Sequence, residues 1–335
     1  MTELFQEGVE FKIPPFSKKT IEFHAEVGCF NLKKYPSFYP SFEQRKKLIK
    51  FLCSSGELEK KILMRHKLIS IEKIVEDNYF VKIENLTTQQ QSGFFCKFII
   101  LGGGKYFPVH MPKIYKTPQI FRRVDYGGRI FSNNKVLSSL LVPNYREKNL
   151  IDPKWVCQSK IPGVEYKTFC MCVDGEVILC KYNGIKGYSG RADCEPTGFT
   201  NFGFNVIVRQ ENLIDFAKFL MKETMKEYEI SLNDALNEEK HVLENFYGEK
   251  AGIIFRDGLN LIIKQFDIVT DDIKVIGPTI EGVGYYPQIN DDLSLVNDKN
   301  IYIVGDSTGL FRGIIPSMVS GLYVALSILN TSLKI

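Results

Sequence analysis

The stretch Ile301-Tyr302-Ile303-Val304-Gly305-Asp306-Ser307-Thr308-Gly309-Leu310-Phe311-Arg312-Gly313-Ile314-Ile315-Pro316 lies near the carboxyl end of a 335-residue chain. Its first four residues are apolar and of strand length, which fits a buried parallel position. Gly305 lets the backbone leave that strand sharply, and Gly309 and Gly313 let main chain approach a ligand without an intervening Cβ. Pro316 suits the first turn of a helix. The pattern carries that helix to about Leu329, with Met318, Leu322, Ala325 and Leu329 on one face. Together these features form a strand with an acidic residue at its carboxyl end, a glycine-rich loop and a helix start. They face the crevice where open α/β sheets bind ligands. The helix start favours electron-rich atoms, while Asp306 can accept hydrogen bonds from hydroxyls and would repel phosphate. A polyol carrying an electron-accepting ring fits that combination better than a bare phosphate does. The plain alternative is a strand–helix turn with Asp306 as its N-cap.

Working outward, a second strand, Phe98-Ile99-Ile100-Leu101, runs into Gly102-Gly103-Gly104. Strand-length pieces at 62–63, 68–74, 79–83 and 94–101 with polar connections predict a β-meander before it, and residues 42–52 read as an amphipathic helix. Residues 120–210 carry aromatic, β-branched and glycine residues at strand spacing and predict a separate antiparallel β region. Residues 211–246 have helical periodicity, and 261–266 is strand-like. The order is thus an α/β piece, a β region, helices and a second α/β piece, as in a domain interrupted by an insertion. The expected fold is α/β, α+β overall: a Rossmann-like remnant split by an antiparallel β domain with helices. The expected boundaries are 1–120, 121–275 and 276–335.

Composition removes several classes. A 44% hydrophobic, 24% charged chain is ordinary globular protein. A formal charge of +4 with only short basic runs makes nucleic acid an unlikely partner. No run approaches the ~20 apolar residues of a membrane span, and the amino terminus lacks the pattern of a secretory signal; both point to the cytoplasm. Eight cysteines without a CxxC pair fit free thiols in a reducing compartment. Cys170-Met171-Cys172 in a regular strand would point both thiols the same way, which suits neither a zinc knuckle nor a CxxC couple. Four isolated histidines offer no metal spacing. No Ser/His/Asp set, phosphate loop or carboxylate pair supports a hydrolase or kinase, and no catalytic base is identifiable.

The carboxyl-terminal stretch resembles the FAD-binding motif of the two-dinucleotide-binding-domain flavoproteins, the glutathione-reductase-like superfamily. Phe98–Gly104 resembles that superfamily's strand ending in Ala-Thr-Gly-Gly. Tyr166-Lys167-Thr168-Phe169-Cys170-Met171-Cys172, followed by Asn183-Gly184 and Tyr188-Ser189-Gly190-Arg191, is similar to uncharacterised bacterial FAD-dependent dehydrogenases, as is Asp125-Tyr126-Gly127-Gly128-Arg129-Ile130. The resemblance runs in order from about residue 40 to 330. It implies an FAD-dependent oxidoreductase acting on an unknown small molecule. Asp306 would hold the ribityl chain, and Gly102, Gly103, Gly305, Ser307, Gly309, Arg312, Gly313, Ile314 and Ile315 would line the cofactor. Arg129, Tyr188 and Arg191 are candidates for the substrate side, and no metal is implied.

One element of the resemblance is missing. The superfamily opens with strand–GxGxxG–helix–strand, which binds the adenosine half of FAD. Here Val27-Gly28-Cys29-Phe30 has a single glycine, and Gly102-Gly103-Gly104-Lys105-Tyr106-Phe107 lacks the third in register. Either a second polypeptide or upstream segment supplies the unit, or the chain holds flavin by other contacts, or the fold persists as a binding or scaffold protein without cofactor.

Overall fold

The computed structural model describes residues 23–33, 41–54, 58–75, 78–141, 147, 151–182, 184–213, 227–269 and 271–332. The fold is α+β. Its largest element is an antiparallel sheet of eight strands: β1 (Phe23–Val27), β2 (Phe30–Lys33), β8 (Trp155–Gln158), β9 (Val164–Cys172), β12 (Phe199–Val208), β7 (Gln119–Asn133), β14 (Lys274–Pro287) and β13 (Tyr228–Ser231), in that spatial order. Gly28, at φ +57°, closes the β1–β2 hairpin, so the lone glycine of that stretch makes a tight turn. Residues 23–33 therefore join this large sheet, and β14 runs across position 275.

Strand alternation gives the sheet two different faces. Register places Phe204 opposite Thr168, Asn205 opposite Lys167 and Val206 opposite Tyr166. One face turns Tyr126, Tyr166, Phe204 and Val206 toward helix α6 (Glu249–Gln265), where they bury against Phe255, Leu259 and Ile262. The Tyr126 hydroxyl donates to the Ala251 carbonyl at 2.8 Å. The other face carries Asp125, Lys167 and Asn205. The strand expected at 261–266 is the last turn and a half of α6. Ile254, Phe255, Leu259, Ile262 and Phe266 bury at helical spacing, and that periodicity outweighs the short apolar run Leu261-Ile262-Ile263. Residues 228–231 within the expected helical stretch form β13, and 214–226 lie outside the described residues.

A smaller sheet pairs β15 (Ser294–Leu295), β16 (Asp298–Ile303) and β6 (Ile99–Leu101). β16 and β6 are parallel, with Ile301 opposite Ile99 and Ile303 opposite Leu101. One side of this sheet packs on Tyr79, Val81 and Ile83 of the meander β3 (His66–Val75), β4 (Asn78–Asn85), β5 (Gln91–Cys96), and on Phe107 and Met111 of α3 (Phe107–Ile114). The other side meets α7 (Ile314–Ser332) through Tyr302, Tyr323 and Val324. The expected run at 94–101 is thus two strands, and 62–63 lies after the short helix α2 (Leu58–Lys61) without strand pairing.

The buried face of α7 is not the leucine face expected from the sequence. Ser320 and Val324 are buried, whereas Leu322, Leu326 and Leu329 are 42–56% exposed. Small hydroxyl residues let the helix approach its loop and bond to it: Gly305 N–H donates to Ser320 Oγ at 2.8 Å, and Ser317 Oγ donates to the Phe311 carbonyl at 3.0 Å. The helix at 42–52 does form, as α1 (Phe42–Ser54), behind a Ser41/Gln44 capping box, but no residue in it is buried.

Asp298 ties the meander to the parallel pair. Its side chain is 2% exposed and accepts from the Tyr79 hydroxyl, from Tyr115 Oη at 2.8 Å and from Lys73 Nζ at 3.3 Å. Burial alone would push this carboxyl up, but the two tyrosines and the Asn300 amide hold it below its ordinary range. Asp298→Ala leaves the buried Tyr79 hydroxyl and the half-buried Tyr115 hydroxyl without their acceptor and is expected to lower stability by about 2–4 kcal/mol, read as a fall in the urea midpoint.

Candidate active site

The two glycine-flagged strand ends sit side by side. Because β6 and β16 are parallel neighbours, Gly102–Gly104 and Gly305–Ser307 leave the sheet at the same edge, as open α/β sites require. Val304 N–H donates to the Leu101 carbonyl at 3.0 Å, and Ser307 Oγ donates to the Gly104 carbonyl at 3.2 Å, locking the two loops together. Residues 305–308 form one 3₁₀ turn, ended by Gly309 at φ +74°. A side chain at Gly309 would lie 2.8 Å from the Tyr286 ring, so that glycine accommodates protein rather than ligand. Gly313, at φ +98°, leads into α7, and a Cβ there would meet only Pro316 Cδ, at 3.7 Å. Ile314 and Ile315, with free first-turn amides, are 56% and 46% exposed.

Asp306 is half-buried, and among the described residues its carboxylate has no hydrogen-bond partner. Burial raises its pKa, Lys105 and Arg123 oppose that, and Asp125 adds to it. It is therefore an acceptor held in a mixed field, and not an N-cap tied to its own helix.

Behind the loop Arg312 joins a charged row whose other members, Asp125, Lys167, Glu281 and Lys105, are not among the site candidates named from sequence. Asp125 (β7) is fully buried and takes Lys167 Nζ (β9) at 2.6 Å and Asn205 Nδ2 (β12) at 2.6 Å, with Arg312 Nη1 at 3.8 Å. Arg312 also pairs with Glu281 (β14) and donates to its carbonyl at 2.9 Å. Lys105 reaches the same Glu281 at 2.9 Å. Burial lowers Lys167 to about 8 against the opposing pull of Asp125, so this amine can exchange a proton near neutral pH. Asp125 and Lys167 each interrupt a run of core residues (Val124 and Tyr126, Tyr166 and Thr168). Charge at an inward strand position is the one sequence signal that marks them.

The candidates meant for a substrate are placed elsewhere. Arg129 is completely buried and bonds to Asn201 Oδ1 and the Cys170 carbonyl. Tyr188 bonds to Glu227, and Arg191 pairs with Glu176 and Asp193 on the hairpin β10 (Glu176–Tyr182), β11 (Ile185–Arg191). None of these bonds joins the Asp306 loop.

Whether FAD fits divides along its length. The flavin end fits: a carboxylate without a hydrogen-bond partner among the described residues, the uncrowded Gly313 and a helix start stand together. The adenosine end does not. Gly103 is packed on Phe107, where a Cβ would lie 2.4 Å from the ring, and its carbonyl accepts from Tyr182 Oη at 3.3 Å. Among the described residues there is no other glycine-rich strand–turn–helix to receive a pyrophosphate.

No family model matches the chain, and no curated protein matches it. Solved structures that resemble it include one described as an FAD-containing monooxygenase from Photorhabdus luminescens subsp. laumondii TTO1, with 12% identity, 87% of this chain and 64% of that one covered, and a TM-score of 0.39. The rebeccamycin biosynthetic enzyme RebC matches with 10% identity over 72% of this chain and 32% of that one, at a TM-score of 0.30. The flavin-dependent monooxygenase PieE, solved with FAD and substrate, matches with 11% identity over 72% of this chain and 29% of that one, at a TM-score of 0.25. This chain thus spans 29–64% of the length of these neighbours. At such scores no activity passes from them to it. Among the described residues no helix is long and apolar enough to cross a membrane.

Proposed function

We propose that this chain is the flavin-facing part of an FAD-dependent oxidoreductase, whose adenosine half is held by an upstream segment or a second polypeptide. The observation that carries the reading is Asp306: a half-buried carboxylate with no described hydrogen-bond partner, beside the open start of α7, where two parallel strands end. When bound, the flavin would supply the hydride or electron chemistry. Asp306 accepts hydrogen bonds from ribityl hydroxyls. The first-turn amides of Ile314 and Ile315, with Arg312, favour negative charge at the ring's pyrimidine edge. Lys167, held by Asp125, can take or release a proton at Nζ.

The uncovered side of β6 favours a partner-dependent arrangement. β6 pairs only with β16 among the described residues, and Ile100 on it is 47% exposed.

Titration of the purified chain with riboflavin and with FAD, followed by flavin fluorescence, tests the reading. Both are expected to bind with similar affinity, because the contacts offered are to the shared ring and ribityl chain. Asp306→Ala is expected to weaken both by about tenfold or more, the value of a charge-assisted hydrogen bond. Binding that is unchanged in Asp306→Ala, or no binding of either flavin at millimolar concentration, would overturn it.

A further inference from the structure

Cys170 and Cys172 occupy an irregular end of β9. Gly203 of β12 pairs with Phe169 and Asn201 with Cys172, so Cys170 and Met171 together face the single residue Phe202. This is a β-bulge, and Cys170 sits in it at φ +50°, a conformation that non-glycine residues rarely adopt. In a regular strand the two side chains would stand one full pleat apart. The bulge instead brings the sulfurs within 3.9 Å.

The second observation is the guanidinium beside them. Arg129 is 0% exposed, and among the described residues it has no carboxylate within ion-pair distance. Its Nε and Nη2 bond to Asn201 Oδ1, Nη2 also donates to the Cys170 carbonyl at 2.8 Å, and it lies 3.8 Å from Cys172 Sγ. Nη1 has no partner. Asp152, a buried carboxylate that accepts from the Met171 amide at 2.8 Å, feels the Arg129 charge without pairing with it, so a Cys170 thiolate would stand beside a buried cation that is only partly compensated. Gly190 of β11 closes over it: a Cβ there would lie 2.2 Å from Arg129 Nη2 and 2.6 Å from Cys172 Sγ.

We infer that Cys170 and Cys172 form a redox-active dithiol that reduces hydroperoxides, with Cys170 as the attacking sulfur, Cys172 as the resolving one and Arg129 as the fixed counter-charge. The assignment of roles follows exposure: Cys170 is partly accessible and Cys172 is buried. The hydrogen bond from Cys172, with help from Arg129, pulls the Cys170 thiol down against burial and the Asp152 carboxylate, and the same bond with burial pushes Cys172 up.

The chemistry balances. The Cys170 thiolate attacks one peroxide oxygen, an S–O bond forms, the O–O bond breaks, and the departing oxygen leaves as water or alcohol after taking a proton. Cys172 then attacks the sulfenic sulfur, the S–S bond forms, the S–O bond breaks, and the hydroxyl leaves as water with the Cys172 proton. Two thiols are oxidised and one peroxide is reduced. The disulfide brings sulfurs that already lie 3.9 Å apart to about 2.05 Å.

The test uses the full reduced chain without flavin, in a Cys180→Ser background so that the tryptic peptide beginning at Thr168 holds only this pair. One equivalent of hydrogen peroxide is expected to make that peptide lighter by two hydrogens and resistant to alkylation, about tenfold faster than exposed Cys53 is oxidised. Cys172→Ala is expected to stop at a sulfenic acid on Cys170, captured by a cyclic 1,3-diketone. Retention of both thiols while Cys53 is oxidised would overturn the assignment. So would an unchanged peroxide reaction of this peptide in Cys170→Ser.

Discussion

Replacing Asp125 with alanine is expected to cost the fold about 3–5 kcal/mol, the price of breaking a buried ion pair from one side. Asp125 is fully buried, and its carboxylate is the ion-pair partner of Lys167 Nζ at 2.6 Å. It also takes the Asn205 amide at 2.6 Å and stands 3.8 Å from Arg312. The alanine variant leaves the lysine charge facing Phe169, and Asn205 loses its acceptor while its own oxygen still accepts from Thr279. Asp125→Asn keeps the shape and loses only charge, so its urea midpoint should fall between those of wild type and alanine. Equal midpoints for all three would mean that the row contributes nothing to folding.

The same pair sets a pH signature. Burial would raise the Asp125 carboxyl, but Lys167, Arg312 and Arg123 outweigh it and hold it below its ordinary range. Its stabilisation is therefore complete above about pH 4 and is lost as pH falls through the lower folded value. Lys167 is lowered to about 8. Between about pH 8 and the unfolded value near 10.4, the unfolded chain binds the proton that the folded chain has released, so this group makes stability rise with pH. Lys167→Met should remove that alkaline rise and keep the acid loss shallower, both visible in urea midpoints across pH.

What could be read from residues alone follows the range of the forces involved. The parallel strands β6 and β16 were legible because each is a short apolar run ending in glycine, and both ends of that signal are local. Helix α6 was misread at its end because Leu261-Ile262-Ile263 is apolar at consecutive positions, where strand and helix periods cannot be told apart. For α7, hydrophobicity pointed to Leu322 and Leu329. The loop carbonyls and amides instead demanded Ser317 and Ser320, and hydrogen-bond demand from a distant turn leaves no periodic trace. The row of Asp125, Lys167, Asn205 and Glu281 comes from four strands brought together by register, so a single sequence shows charges in apolar strands but not that they meet. The Cys170 bulge was hidden for the same reason: it exists only relative to Phe202 on the neighbouring strand.

A separately expressed strand–turn–helix unit carrying a glycine-rich phosphate turn is expected to raise this chain's affinity for FAD by about a hundredfold, ~2.8 kcal/mol, and to leave riboflavin binding nearly unchanged. The reason lies in where surface remains uncovered. A parallel sheet is normally buried on both faces, and an exposed strand edge invites pairing. Yet β6 has one unpaired edge among the described residues, Ile100 is 47% exposed, and α7 shows Leu322, Leu326 and Leu329 to solvent. A strand beside β6 would use that edge, and its helix would cover Ile100. Its glycine turn would then lie at the same sheet edge as Gly102 and Gly305, supplying the pyrophosphate amides that Gly103, packed on Phe107, does not offer. Ile100→Glu, at an exposed position, should abolish the FAD gain without altering riboflavin binding or the urea midpoint. A gain equal for both flavins would place the added contacts on the ring, and an undiminished gain in Ile100→Glu would place the unit somewhere other than this edge. Either result would separate the flavin-facing loop, which stands on Asp306, from the way the rest of the cofactor is held.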